Sequence, residues 1–261
     1  MDAATVDDGI DPVKRIRVFS ELLLVALSGL LLGSLLLSLV ASVAAEFGMV
    51  EITADGRLDT TLTIQFTVAI VASGVGLVLT TLAYLHFSEK DATFIDLDTP
   101  VLRDVGYIVA GTVGLFVVLT AISVVFQQLG IPSAPSGIEE QVRETGKTDA
   151  LLVLAPLSIL VIGPGEELVF RNIIQKRLYD LFPRMQSIVL ASVLFAAVHL
   201  LQYSNTDPLQ TLSSLFVVFV LALALGFLYE RTEKLIVPAV VHGLFNAIQF
   251  LLLYAEITYN L

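Results

Sequence analysis

Cysteine and tryptophan are absent from this chain of 261 residues, which has only three histidines and three methionines. The absence of cysteine excludes disulfide bridges, thiolate metal sites and a cysteine nucleophile. Charged residues are also scarce, at 15% of the sequence, and the basic ones form no cluster with aromatic side chains. Nucleic acid is therefore not an expected partner.

Apolar residues make up 56% of the chain, above the roughly 45–50% of soluble domains, and the mean hydropathy is +0.87. They fall in runs, most of which match the roughly 20 residues that a helix needs to cross a membrane. We predict an all-α, polytopic transmembrane helical bundle with seven, or eight, spans. The seven apolar runs cover residues 18–44, 62–85, 105–126, 150–170, 188–200, 209–229 and 235–255.

Basic residues predict how the bundle is oriented, because lysine and arginine near helix ends are retained on the cytoplasmic side. One set of alternate segments contains Lys14, Arg15, Arg17, Lys90, Arg103, Lys176, Arg177, Arg184, Arg231 and Lys234. The other set contains only Arg57, Arg143 and Lys147. We therefore expect a multi-pass protein of the cell (plasma) membrane with a cytoplasmic N-terminus and an external C-terminus.

The distribution of polar residues predicts four regions. These are a cytoplasmic tail (1–17), N-terminal scaffold helices (18–128), an external connector (129–149) and a transmembrane core (150–261) that contains the polar residues of the spans and is the candidate catalytic region. In the scaffold, the pairs Gly74 with Gly76 and Gly111 with Gly114 favour close helix packing. The net charge of −11 comes from acidic residues in the tail and the external segments. It indicates either a host that lives in high salt or simply well-solvated loops.

Six polar side chains lie within the predicted fourth, fifth and seventh spans, where an ionisable group costs on the order of a few kcal/mol and usually marks function. They are Glu166, Glu167, Arg171, His199, His242 and Asn246. Each alone has a simple explanation, as a solvated helix end or a polar contact between helices. Taken together, they suit activation of a water molecule and stabilisation of an oxyanion.

Local spacing in the fourth span gives two expectations. Glu167 and Arg171 are four residues apart, so they share a helix face and can form an ion pair. Glu166 is rotated by about 100° and points elsewhere. Pro164 cannot donate a hydrogen bond to the carbonyl of Leu160, so we expect an opened backbone that faces protein or a wet cavity.

Three short motifs carry a resemblance to a known family. "EELVFR", "FAAVH" and "HGLFN" resemble the EExxxR, FxxxH and HxxxN motifs of the CPBP intramembrane proteases, in the same order. That family includes CAAX prenyl proteases of the Ras-converting type and Abi-type, bacteriocin-processing proteins. The resemblance covers residues 150–255, less than half of the chain, and it implies a helical membrane protease.

The resemblance also implies a role for each site residue. Glu166 is expected to be the general base that accepts a proton from water, and His199 orients that water. His242 and Asn246 are expected to bind the oxyanion of the scissile amide.

Two further implications concern support and cofactors. Glu167 and Arg171 are expected to hold the helix in register. Glu166, His199 and His242 would be three metal ligands if zinc is bound, with water as the fourth, although the chain has no HExxH motif. No cofactor is certain, and zinc is the candidate.

The predicted function is that of an intramembrane endopeptidase that cleaves near the C-terminus of prenylated, CAAX-type peptides or of other membrane-associated peptides. Membrane lipid and such a substrate are the expected partners. Two alternatives stay open: a non-catalytic Abi-type membrane or immunity protein, and a proton-coupled transporter that uses Glu and His as a relay. No inverted repeat of the transporter kind is visible.

The sequence also predicts where the site lies in the membrane. Glu166 is expected close to the cytoplasmic boundary, because basic residues follow it. His199 is expected about 20 Å into its span. We predict a water-filled cavity that opens to the cytoplasm, with its floor near His199 and with Glu166, His199, His242 and Asn246 within about one water of each other.

Overall fold

A computed structural model describes residues 12–53, 58–203 and 207–260 and consists almost entirely of helices. The helices are α1 (Pro12–Glu46), α2 (Leu62–Phe87), α3 (Leu102–Leu129), α4 (Gly137–Thr145), α5 (Asp149–Leu178), α6 (Arg184–Val198), α7 (Pro208–Thr232) and α8 (Ile236–Tyr259). Two short strands, β1 (Glu51–Ile52) and β2 (Leu58–Asp59), pair antiparallel between α1 and α2. Single 3₁₀ turns cover Ala92–Phe94 and His199–Gln202.

Seven of these helices, all except α4, are long and apolar enough to cross a membrane. The predicted polytopic helical bundle is therefore confirmed. The helices extend beyond the apolar runs, since α1 begins at Pro12 and α5 continues to Leu178. The fifth apolar run, 188–200, is too short to cross a membrane by itself. The fifth observed span reaches from Arg184 to Gln202 once its 3₁₀ turn is included. Residues 1–11 of the predicted tail, and Arg57 of the predicted external set, lie outside the described residues.

The loops gather at two opposite ends of the bundle. We call the first the basic end: it contains the start of α1 and the connections 88–101, 179–183 and 233–235. Arg15 lies over the ring of Phe182 there, at 5.4 Å from the ring centre. We call the second the connector end: it contains α4, the segments 130–136 and 146–148 that flank it, and the last turn of α8. An ion pair of 3.0 Å between Arg143 and Glu256 joins α4 to α8 at this end.

Apolar side chains pack into three clusters. One joins α1, α2, α5, α6 and α7, the second joins α2, α4, α5 and α8 at the connector end, and the third joins α3, α7 and α8. Many leucines and valines of α1 and α3 instead point outward and stay exposed. Because hydrocarbon is as apolar as these side chains, their exposure suits contact with lipid.

Two glycines set the distance between α5 and α8. A Cβ atom on Gly163 would overlap the carbonyl oxygen of Ala239, and one on Gly243 would lie 2.6 Å from the Cα atom of Ile159. Only residues without a side chain permit backbones to approach so closely. Since His242 directly precedes Gly243, this crossing also places that histidine against α5.

The glycine pairs predicted for helix packing behave differently from one another. A Cβ atom on Gly74 or Gly76 would collide with a neighbouring helix, and one on Gly111 would lie 3.0 Å from Leu228 of α7. No described residue lies within 4 Å of a Cβ atom on Gly114. The prediction is therefore confirmed for the first three glycines and wrong for Gly114, which lies on an open face of α3.

The contrast between Gly163 and Gly114 gives a first prediction. Gly163→Ala should lower the free energy of unfolding by about 1–3 kcal/mol, because the added methyl group forces α5 and α8 apart. Gly114→Ala should be tolerated, since its side chain meets open space. Thermal unfolding in detergent measures both effects, and equal midpoints for the two variants would show that the crossing does not depend on glycine.

Candidate active site

A buried carboxylate organises the centre of the bundle. The side chain of Glu167 is 0% exposed, and its Oε2 atom accepts a hydrogen bond of 2.7 Å from Nε of Arg171. Its Oε1 atom lies 2.9 Å from Nδ1 of His242. A carboxylate only accepts hydrogen bonds, so Nδ1 of His242 is the donor. This leaves Nε2 of His242 facing away from Glu167.

Three catalytic candidates face one another across a short gap. Oε2 of Glu166 lies 3.9 Å from Nε2 of His199 and also 3.9 Å from Nε2 of His242. This oxygen is buried and has no hydrogen-bond partner among the described residues. Two groups that each lie about 2.8 Å from one water are at most about 5.6 Å apart, so these separations allow one water to bridge Glu166 and either histidine.

His199 is placed by the end of α6. The α-helix stops at Val198 and tightens into the 3₁₀ turn His199–Gln202. Nδ1 of His199 lies 2.7 Å from the carbonyl oxygen of Phe195, one turn earlier, and a carbonyl can only accept. In neutral His199 the proton is therefore on Nδ1, and Nε2 presents a lone pair towards Glu166.

Phe195 is a site residue that the sequence analysis quoted only as part of a motif. Its ring centre lies 4.4 Å from that of His199 and 5.9 Å from that of His242. The guanidinium carbon of Arg171 lies 5.3 Å from the same centre, and the Phe170 ring packs edge-on at 4.9 Å. One aromatic ring therefore fixes both histidines. The sequence signal for this contact is the four-residue spacing within "FAAVH", which places Phe195 one helical turn before His199.

The backbone beneath the glutamates is unusual. Helix α5 widens to π-helical turns over Ser158–Ile162 and Leu168–Gln175, on either side of the glutamate pair. The N–H of Gly163 donates to the carbonyl of Ser158, five residues earlier, directly before Pro164 interrupts the hydrogen bonds. The expected opening of the backbone at Pro164 thus takes the form of wide helical turns, which are frequent at functional sites.

The candidate side chains lie along a cavity of about 1630 Å³. Glu166, His199, His242 and Asn246 all line it. Asn246 lies one turn beyond His242 on α8 and is partly exposed. Further walls come from α2, α3 and α7, so two helices that the sequence assigned to scaffold also shape the site.

The cavity opens at the connector end. Its outer rim consists of the segment 131–136, α4, Tyr203 and Glu256, all on the side opposite to the connection 179–183. At this rim Arg143 pairs with both Glu256 and Glu139, and these hydrogen bonds raise the pKa of Arg143. The sequence predicted that the basic end is cytoplasmic and also that the cavity opens to the cytoplasm. Because the cavity opens at the other end, only one of these predictions can be true.

The depth predicted for Glu166 stays a prediction, because the structure gives distances along α5 and contains no membrane boundary. Glu166 lies twelve residues before Leu178, the last residue of α5, and this places it about 18 Å from that end of the helix. The basic residues that follow it belong to the same long helix rather than to a loop. His199 lies fifteen residues after Arg184, or about 22 Å along α6, so the two side chains meet at similar depth.

The residues as placed do not fit zinc. Nitrogen and oxygen ligands at about 2.1 Å from a tetrahedral zinc ion are about 3.4 Å from each other. Glu166 lies 3.9 Å from each of its two histidine partners. Across the three described ranges, no group of three or more His, Asp or Glu side chains could hold a metal ion. The zinc set therefore stays an untested expectation, and no step is derived through it.

Fold and site together define a polytopic membrane protein with a buried carboxylate–histidine site at the floor of a wide cavity. Residues 148–248 match a family model described as Rce1-like, type II CAAX prenyl endopeptidase. This match contains all six predicted site residues and confirms the resemblance for that part of the chain, at the level of a membrane endopeptidase family. No curated protein and no solved structure gives a significant match. The cavity walls from α2, α3 and α4 lie outside the matched segment.

The buried ion pair gives a second prediction. Arg171→Met should lower the free energy of unfolding by about 3–5 kcal/mol, because the carboxylate of Glu167 then loses the guanidinium that pairs with it in the protein interior. Arg184→Met removes an exposed pair with Glu230 and should cost less than about 1 kcal/mol. Unfolding in detergent followed by circular dichroism measures the difference, and similar losses for the two variants would contradict it.

Proposed function

We propose that this protein is an intramembrane endopeptidase that hydrolyses peptide bonds with a water molecule activated by Glu166 and His199. One observation carries the proposal: a buried, unpartnered carboxylate oxygen lies 3.9 Å from two imidazole nitrogens at the floor of a large cavity. The family match over residues 148–248 supports the reaction class. We further propose the cell membrane as its location, with the basic end in the cytoplasm.

The water is held by two acceptors with different tasks. One water hydrogen donates to Nε2 of His199, whose other ring nitrogen is committed to the carbonyl of Phe195. The second hydrogen points at Oε2 of Glu166, which takes this proton as the water oxygen attacks the peptide carbonyl. Glu166 then returns the proton to the departing amine, so that a carboxylic acid and an amine are released and the site is restored.

The oxyanion is stabilised from α8. His242 in its protonated form donates from Nε2, and the amide of Asn246 donates from the next turn of the same helix. The carboxylate of Glu167 holds Nδ1 of His242 at 2.9 Å and balances the imidazolium charge. Glu167 and Arg171 are therefore positioning residues, since they act on the reaction through His242.

The cavity supports a peptide substrate with an apolar segment. Its walls carry many aromatic and aliphatic side chains of α2, α3 and α8, with a few serines, threonines and glutamines among them, and its carboxylates lie at the floor and the outer rim. This arrangement suits a chain whose apolar part rests between helices while a scissile bond near its end reaches Glu166. Prenylated CAAX-type peptides and other membrane-associated peptides both meet this description.

The third prediction tests the assigned roles with a farnesylated CAAX-type peptide and its unprenylated counterpart, using purified protein in detergent. Glu166→Gln and His199→Ala should abolish turnover while unfolding midpoints stay close to that of the wild type. His242→Ala should also abolish turnover but with a lower midpoint, because the buried carboxylate of Glu167 then loses a hydrogen bond. Asn246→Ala should lower kcat about 10²- to 10³-fold, the usual loss for one oxyanion donor. Glu144→Gln, a carboxylate change at the cavity rim, should leave kcat unchanged and is the matched control.

Near-normal turnover of Glu166→Gln on a peptide that the wild type cleaves would refute the assigned base. The same variants in lipid vesicles decide between the protease and a proton-coupled transporter. A proton flux that Glu166→Gln removes, in a preparation that cleaves neither peptide, would favour the transporter. If the wild type shows neither peptide cleavage nor proton flux, the non-catalytic, Abi-type alternative remains.

A further inference from the structure

Lysine and arginine are distributed very unevenly between the two ends of the bundle. The basic end carries ten of the fourteen: Lys14, Arg15, Arg17, Lys90, Arg103, Lys176, Arg177, Arg184, Arg231 and Lys234. The described part of the connector end carries Arg143 and Lys147, and Arg171 lies in the interior. Topology follows lysine and arginine rather than net charge, so the acidic residues near the basic end do not weaken the argument.

The site is closed on the side of the basic end. Beyond Glu166, helix α5 continues through about three turns in which most side chains are fully buried, including Arg171, Ile174, Gln175 and Leu178. Gln175 donates to the carbonyl oxygen of Gly226 at 2.8 Å and so ties α5 to α7 below the site. A peptide cannot pass through this packed section.

The opposite side of the site is open and polar. The cavity reaches the connector end between α4, the segment 131–136 and the last turns of α8. Its rim carries Glu139, Glu140, Glu144 and Glu256, with Arg143 as a basic residue among them. The approach to Glu166 that this cavity provides therefore starts at the face of the membrane that carries few lysines and arginines.

We infer that this protein takes its substrate from the non-cytoplasmic side of the membrane, so that its substrate is an exported or membrane-anchored peptide whose scissile bond is exposed outside the cytoplasm. This inference rests on the proposed peptidase function and narrows its substrate class. It has two premises. The distribution of lysine and arginine places the basic end in the cytoplasm, and the cavity opens at the opposite end. A cytosolic protein with a lipidated C-terminal tail would meet the closed side of the site.

Cysteine accessibility tests the orientation without any need for activity, because the native chain has no cysteine. Glu144→Cys lies on α4 at the cavity rim, and Asp180→Cys lies in the connection at the basic end; both positions are exposed. A membrane-impermeant maleimide should label Glu144→Cys in intact cells and Asp180→Cys only after permeabilisation. Labelling of both in detergent confirms that each cysteine is reactive.

The reverse pattern, or equal labelling of both variants in intact cells, would overturn the inference. If one position fails to react in detergent, Glu140→Cys or Glu233→Cys takes its place at the same end of the bundle. This labelling result stands whether or not the protein proves to be a protease.

A second arm connects orientation to cleavage. A membrane-anchored peptide with an impermeant charged headgroup is added to the outside of intact cells and, separately, to inside-out vesicles. The wild type should cleave it in intact cells and not in the vesicles, and Glu166→Gln should cleave it in neither. Cleavage confined to the vesicles would refute the inference and leave the peptidase intact. Absence of cleavage everywhere, with Glu144→Cys labelled from outside, would instead refute the peptidase.

Discussion

The site depends on one fully buried carboxylate, Glu167, which accepts hydrogen bonds from Arg171 and His242 on two different helices. An ionised group in the interior is stable only when it is paired and hydrogen-bonded, so this carboxylate constrains both partners. Arg171 places its charge beside the Phe195 ring, and that ring packs against His199. The orientation of both histidines towards Glu166 follows from this network and from the glycine crossing that allows α5 and α8 to meet.

The neighbouring glutamates therefore have opposite surroundings although they are adjacent in the chain. Glu167 has two hydrogen-bond partners and no contact with solvent, whereas Oε2 of Glu166 has no hydrogen-bond partner among the described residues and faces the cavity. The rotation of about 100° between successive helix residues produces this division. One carboxylate is suited to hold the structure and the other to exchange a proton.

Much of this could be predicted from the sequence, because the relevant signals are local. Apolar runs gave the seven spans, and a spacing of four residues predicted the ion pair of Glu167 with Arg171. The same spacing separates Phe195 from His199, but their contact was not predicted. The open end of the cavity could not be predicted, since it depends on which helix ends separate, and hydropathy contains no information about that. The length of α5 beyond Phe170 was missed for a related reason: its last turns carry polar residues that are buried against other helices rather than solvated. The packing of α2 and α3 around the site likewise depends on contacts between distant segments.

The central claim is that this network holds one water between Glu166, His199 and His242, and crystallography at a resolution that shows ordered water tests it most directly. The account predicts a single water peak within hydrogen-bonding distance of Oε2 of Glu166 and Nε2 of His199, and its loss in the Glu166→Ala variant. A metal ion at about 2.1 Å from these atoms would contradict the account, and so would apolar side chains packed between Glu166 and His199.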